Sequence, residues 1–285
     1  MKYTFLPLLL LSLPASAALI GSWNHDELSG NLIDSTGGHA PAALSPLGAV
    51  DYAQPGVPDG TYGAITVAGA TGTSIGYGPN LSDDFFVSGA DNLNPVLNID
   101  RTGALTVMSW INPQAPDING RAYRPISTGS GAGVDRGWGF ALRFGNTAGT
   151  ATTVRFTNYG VLDNDSDPFA VNFGEWIHIA ATYNNGVINY FFNGILLGGS
   201  DNSLFGNETA NARLTLGARF GGNDFDQTNG RLDGVRVYDE VLSDAQIQAA
   251  AVASVVPEPS ALGLVILGAA ALARRRKAGP LAVQR

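Results

Sequence analysis

Residues 173–199 constrain the fold more than any other stretch. They read Phe-Gly-Glu-Trp-Ile-His-Ile-Ala-Ala-Thr-Tyr-Asn-Asn-Gly-Val-Ile-Asn-Tyr-Phe-Phe-Asn-Gly-Ile-Leu-Leu-Gly-Gly. Two Asn-Gly pairs, 185–186 and 193–194, separate three apolar runs. Asn and Gly tolerate the positive φ that a tight hairpin turn requires. A three-stranded antiparallel meander is therefore expected, with strands at 176–183, 187–192 and 195–197. The first strand is apolar on both faces, so it must be covered on both sides. A meander of this kind needs a second sheet packed against it.

The rest of the chain supplies the material for that sheet. Residues 103–111 alternate cleanly, Leu105, Val107, Ser109 and Ile111 facing one way and Thr106, Met108 and Trp110 the other; Pro113 and Pro116 end the run. Further strands are expected at 19–23, 64–67, 73–77, 124–128, 137–144, 152–158, 213–219 and 230–238. Residues 59–63 read as a turn, 81–98 as a loop crossing one end, and 163–168 as a solvated acidic loop. After 242 a short helix is expected, because Ser243 with Gln246 three residues later forms a capping box. With 37 Gly and 15 Pro, and no helical periodicity before residue 243, the composition suits one all-β domain of two packed antiparallel sheets.

Charge and cysteine content narrow the partners. The net charge is −8, and residues 18–256 alone hold 23 acidic residues against ten basic ones, all arginine, a net of −13. Nucleic acid and anionic membrane surfaces are poor partners for such a surface; cations and neutral glycans suit it. There is no cysteine, so neither disulfides nor thiol chemistry contribute.

Both ends differ from the middle. Lys2, an apolar run at 5–13 and Ala15-Ser16-Ala17 form a secretory signal peptide, 1–17, cut after Ala17. Residues 18–250 are the folded domain and 251–259 a linker ending in Pro257-Glu258-Pro259. A hydrophobic transmembrane helix and basic cluster follow at 260–277, with Arg274, Arg275 and Arg276, then a tail at 278–285. The apolar run is shorter than the ~20 residues of a full span, and the basic cluster belongs on the cytoplasmic side.

Three motifs in order carry a family resemblance. They are Trp23 with Asp34-Ser35-Thr36-Gly37, then Trp176-x-His178-x-Ala180-x-Thr182-Tyr183 with its turns, then Gly230-x-Leu232-Asp233-x-Val235-Arg236-Val237-Tyr238 with Leu242-Ser243. Together they resemble the laminin-G-like domains of the concanavalin A-like lectin/glucanase superfamily. The resemblance implies a two-sheet jelly-roll sandwich with the first and last strands side by side. It also implies a structural Ca2+ held by the positions of Asp34 and Asp233. The tail resembles the PEP-CTERM sorting signal. That implies an exosortase as processing partner, transient residence in the inner membrane after export, and delivery to the cell surface or extracellular matrix.

The chemistry readable from the residues is sparse. Glucanase-like members of the superfamily carry closely spaced paired carboxylates on one strand, the arrangement retaining hydrolysis needs. Here Glu27, Glu175, Glu208 and Glu240 stand apart. Glu175 reads as a solvated turn residue, and His178 as a core residue. Asp163, Asp165 and Asp167 resemble the start of an EF-hand loop, but Pro168 occupies its glycine position. Trp23, Trp110, Trp138 and Trp176 sit in strand patterns and read as core. Loops 163–169 and 223–227 are the expected places for a glycan. The resulting expectation is a non-enzymatic, lectin-like surface or exopolysaccharide-matrix protein with extracellular polysaccharide as its ligand class. A glycan-cleaving enzyme and a purely structural matrix protein remain open beside it.

Overall fold

The computed structural model describes residues 17–44, 50–68, 72–77, 86–87, 103–116, 120–129, 137–145, 152–160, 162–201, 213–219 and 227–252. The chain divides into two units. One is Ala18–Ser254; the other joins Met1–Ala17 to Val255–Arg285 and, Ala17 apart, falls outside the described residues. The expected leader, the sorting tail with Pro257 to Pro259 and Arg274 to Arg276, and most of 81–98 lie there too.

The strands run in chain order as follows. The first seven are β1 (Leu19–Trp23), β2 (Ala43–Leu44), β3 (Asp51–Pro55), β4 (Gly60–Tyr62), β5 (Ile65–Val67), β6 (Thr73–Tyr77) and β7 (Phe86–Val87). Then come β8 (Ala104–Pro113), β9 (Ala122–Gly129), β10 (Trp138–Arg143), β11 (Thr153–Asn158) and β12 (Leu162–Asp165). The last are β13 (Ile177–Asn184), β14 (Val187–Phe192), β15 (Ile195–Asp201), β16 (Arg213–Leu216) and β17 (Gly230–Tyr238), followed by helix α1 (Asp244–Val252).

Among the described residues these form two large antiparallel sheets and a separate two-stranded hairpin, β4–β5. The first has the order β15-β14-β13-β8-β17-β6-β3, with β1 also paired to β17; the second is β12-β11-β10-β9-β16-β7-β2. The expected meander forms one end of the first sheet. Its two turns carry positive φ at Asn185 (46°), Gly186 (98°), Asn193 (48°) and Gly194 (75°), the twist that suits adjoining strands. The first and last strands do lie side by side, with Trp23 opposite Val235 and Ser22 opposite Arg236.

The core fills the space between the sheets. Leu105, Val107, Ile111, Ile177 and Ile179 meet Tyr123, Ile126, Trp138, Phe140 and Phe156 there. All four tryptophans are buried. Strand β17 enters the core through a bulge. Leu232 and Val235 are three apart, which strict alternation would send to opposite faces. The register slips between Asp233 and Arg236, with Gly234 at φ 55°, and both apolar side chains turn inward. Asp233 and Arg236 are thereby left on the outer face.

That outer face of the first sheet is also apolar and is covered separately. Trp110 and Trp176 pack with Val57, Ile65, Val67 and Ala251, beneath the β4–β5 hairpin and α1. The helix starts at the expected capping box, where Gln246 Oε1 accepts from the Ser243 N–H at 3.0 Å and its hydroxyl at 2.7 Å. Its last turn is tied to the sheet. Trp110 Nε1–H donates to the Ala251 carbonyl at 2.7 Å, and buried Arg236 donates to the Ala250 carbonyl. Both groups cap carbonyls a helix end leaves unpaired. Among the described residues no helix is long and apolar enough to cross a membrane.

Two expectations need correction. Residues 60–62 are strand β4, paired with β5; the reversal comes later, at Gly63, φ 60°. Residues 162–165 are an edge strand paired with β11, and not a free acidic loop. The reason is Arg155 on the neighbouring strand: its guanidinium bonds Asp163 Oδ2 at 2.5 Å and Asp165 Oδ2 at 2.6 Å. Burial works to raise the Asp165 carboxyl, but the bonds and charge of Arg155, with Thr153 and Arg143, hold it below the usual range.

The helix is expected to carry measurable stability. Ile247 is fully buried within α1. Ile247→Ala should cost about 2–5 kcal/mol, the range for truncating a buried aliphatic side chain. Urea unfolding checks this; a loss under about 1 kcal/mol would show that α1 does not close the sheet face.

Candidate functional site

A cleft of about 700 Å³ opens where the outer cover of the first sheet is incomplete. One wall is the β4 hairpin with the segment 55–58 before it. The other is the segment 170–176 entering β13, with the 192–193 turn at its end. The hairpin is seated by the Ala64 N–H, which donates to the Asn193 carbonyl at 3.0 Å. The opposite segment is held by the Gly174 N–H, given to Pro113 O at 2.8 Å, and by Asn112 Nδ2–H, given to Gly174 O at 2.7 Å. Both walls thus hang on the ends of paired strands.

The groups presented in the cleft are mixed in chemistry. Tyr62 is half-buried and edge-on to Trp110, ring centroids 5.0 Å apart. Burial and the charge of Asp59 push its phenol up, so it stays a neutral hydroxyl. Arg231, next to core residue Leu232, turns outward by alternation. Its guanidinium lies over the Trp176 ring at 5.2 Å and gives one N–H to Pro55 O at 3.1 Å. Asn193 Oδ1 accepts the His178 backbone N–H at 2.7 Å. Exposed Glu175 accepts from Asn172 Nδ2 at 3.0 Å. Glu175 is the single carboxylate among the lining residues. Its reading as a turn residue agrees with that bond, but the reading missed that the turn faces a cleft. Arg231 was legible as an outward position; that it shares a cleft with Tyr62 and Glu175 was not.

The expected metal residues lie elsewhere. Asp34 is buried, and its carboxylate accepts four bonds: Ser22 N–H at 2.9 Å and Thr36 N–H at 3.0 Å on Oδ1, Thr36 hydroxyl at 2.6 Å and His39 N–H at 3.0 Å on Oδ2. A carboxylate offers about four acceptor positions, so these are taken. Asp233 is buried on the bulge, where its Oδ2 takes the Val57 N–H at 3.4 Å beside the charge of Arg236. Among the described residues no group of three or more acidic, His or Cys side chains could hold a metal ion. Calcium takes six to eight oxygens, and the Asp34 oxygens are already engaged by these four bonds.

The histidines are structural. His178 is buried against Trp110, and burial with the nearby Arg236 charge lowers its pKa to about 3. His25, at φ 58°, donates from Nδ1 to Trp23 O at 3.1 Å, and Nε2 receives the Tyr77 hydroxyl at 3.2 Å; burial lowers it to about 4. Both are neutral at pH 7.

Sheet order, bulged closing strand and side-by-side termini define a two-sheet lectin-type sandwich, and the comparisons agree. Residues 87–248, more than half of the chain, match the family model described as the concanavalin A-like lectin/glucanases superfamily, and residues 255–277 match the PEP-CTERM protein-sorting motif. The chain belongs to the concanavalin A-like lectin/glucanase superfamily. No curated protein matches it. Among solved structures it is similar to domain 4 of AbnA, a GH43 extracellular arabinanase from Geobacillus stearothermophilus, in complex with arabinotriose. That match has 18% identity, a TM-score of 0.52, and covers 82% of this chain and 98% of that one. It is also similar to a botulinum neurotoxin type C structure, at 12% identity and TM-score 0.51, covering 82% of this chain and 50% of that one. At these identities the shared property is the fold.

The four bonds on Asp34 lead to a prediction. Asp34→Ala strips the acceptor from three backbone donors, two of them buried, and should cost about 3 kcal/mol or more, at 1.5–3 kcal/mol for each bond to a charged group. Melting curves in calcium and in chelator complete the measurement. If the turn is held by its own donors, the loss is the same in both solutions. A parent that melts higher in calcium, with the gain abolished in Asp34→Asn and Asp233→Asn, would put the ion there instead.

Proposed function

We propose that this is an exported, non-catalytic glycan-binding domain, sorted by an exosortase, whose saccharide site is the cleft beside Tyr62. The observation that carries the reading is the lining of that cleft. It combines a half-buried aromatic ring with amide, guanidinium and carboxylate groups, the mixture that grips the apolar faces and hydroxyls of a sugar. A single lining carboxylate supports binding over hydrolysis, because most retaining and inverting glycosidases use a pair. Two structures of the same fold are described with saccharide partners, arabinotriose and gangliosides. They support the ligand class and carry no argument for the site.

A glycan array followed by calorimetry on the purified protein tests the assignment. Tyr62→Ala should weaken binding by at least tenfold, and Tyr62→Phe by less. Unchanged binding in Tyr62→Ala would remove the cleft as the site. No retained glycan would leave the structural-matrix reading, and release of new reducing ends would restore the enzymatic one. Calcium at Asp34 and Asp233 is a separate proposal. It rests on the resemblance of those positions to laminin-G-like ligands, and the saturated carboxylate of Asp34 counts against it.

The sorting motif at 255–277 extends the proposal to location. After export and loss of residues 1–17, the basic cluster Arg274-Arg275-Arg276 resists transfer through hydrocarbon and holds the chain in the inner membrane. Proline disfavours regular helix and sheet, so Pro257 and Pro259 mark the place in the sequence where a processing protease would act. Mass spectrometry of the surface-localised protein should find a chain ending near Val256. An intact C-terminus at Arg285 in that form would overturn this step.

A further inference from the structure

We infer that the cleft selects saccharides carrying an isolated carboxylate, a uronic acid on an otherwise neutral chain, and that Arg231 reads it. This rests on the glycan-binding reading above and adds the class of sugar. The starting point is an incompletely used cation. A guanidinium has five N–H donors. Arg231 spends one on Pro55 O and stacks on Trp176. Among the described residues no carboxylate lies within ion-pair distance of it; Glu175 has its own bond from Asn172.

The guanidinium bonds Pro55 O in an exposed setting, so a ligand entering the cleft can reach its remaining donors. The contact with Trp176 and the bond to Pro55 hold the guanidinium at the cleft and leave it further N–H groups to donate. A planar carboxylate matches a guanidinium fork with two parallel hydrogen bonds. Asn193 adds donors to the same cleft, because its Oδ1 is spent on His178 and its amide N–H groups are not.

Charge count separates the carboxylate from other anions. The lining holds one cation, Arg231, and one anion, Glu175. A dianionic phosphate, or a run of sulfates, would face one arginine and one repelling carboxylate. A monoanion meets Arg231 while neighbouring hydroxyls donate to Glu175. The body of the domain is acidic, with 23 acidic and ten basic residues in 18–256. It repels a uniformly charged polyuronate at low salt. The ligand that fits is one uronate among neutral sugars.

Calorimetry on the purified protein tests this with a matched pair of probes. One is an aldouronic acid, a single glucuronate on a neutral xylo-oligosaccharide. The other is the same oligosaccharide with its carboxyl reduced to the alcohol. Reduction should weaken binding at least tenfold in the parent. Arg231→Gln should bring the two probes within twofold of each other, and Arg231→Lys should keep part of the difference. Comparable parent binding of both probes overturns this inference and leaves the glycan reading standing. Binding of neither probe while the array retains another glycan overturns this inference alone; binding of neither with no glycan retained overturns both. An oligogalacturonate bound more tightly than the aldouronic acid at low salt overturns the preference for an isolated charge. The parent comparison needs no variant, so a folding defect in Arg231→Gln cannot mask the result.

Discussion

The apolar outer face of the first sheet is the constraint on which the rest of this structure depends. Strand β13 is buried on both sides, and a sandwich partner can cover only one. The chain solves the second side with a hairpin and a helix drawn from opposite ends of the domain. Trp110 is the joint between them. Its ring packs under Tyr62 of the hairpin, and its N–H caps the last turn of α1. The cover stops short of the segment 170–176, and the gap between that segment and the hairpin is the cleft.

The closing strand shows how a local irregularity places functional groups. With an uninterrupted register, either Leu232 or Val235 would face away from the core. The bulge at Gly234 turns both inward and leaves Arg231, Asp233 and Arg236 on the outer side. Arg236 then reaches the helix terminus, Asp233 neighbours its charge, and Arg231 reaches the cleft. Burial pulls the Arg236 guanidinium down from its usual pKa, while Tyr238 and Asp233 oppose that pull. One extra residue in a strand therefore serves core and helix docking together.

Asp34 is held by the protein's own donors. The resemblance points to a metal ligand, while Thr36 and His39 of its own turn and Ser22 of β1 already donate to the carboxylate. His39 completes the arrangement by donating its ring N–H to Ile20 O at 2.9 Å and stacking on Trp23, ring centroids 5.5 Å apart. The turn and the first strand are thereby tied together by the protein's own groups. Internal bonds likewise decided residues 162–165, where Arg155 turned an acidic run into an edge strand.

Contiguous residues alone determined much of this protein. Asn-Gly pairs dictated where the meander reverses, because backbone sterics act within two residues. Alternation in 103–111 assigned Leu105, Val107 and Ile111 to the core, because side chains of a strand point to alternate faces. Ser243 and Gln246 marked the helix start, and the ordered motifs carried the family and the sorting signal. Only the tertiary structure decided the cleft. Its lining comes from 55–63, Asn112, 170–177, 192–193 and Arg231. No periodicity links those segments; they meet because β8 pairs with both β13 and β17, and because the hairpin docks on the 193–194 turn. Turn chemistry and strand alternation are written in neighbouring residues. The surface groups that end up facing one another depend on long-range pairing and on how completely a second apolar face is covered.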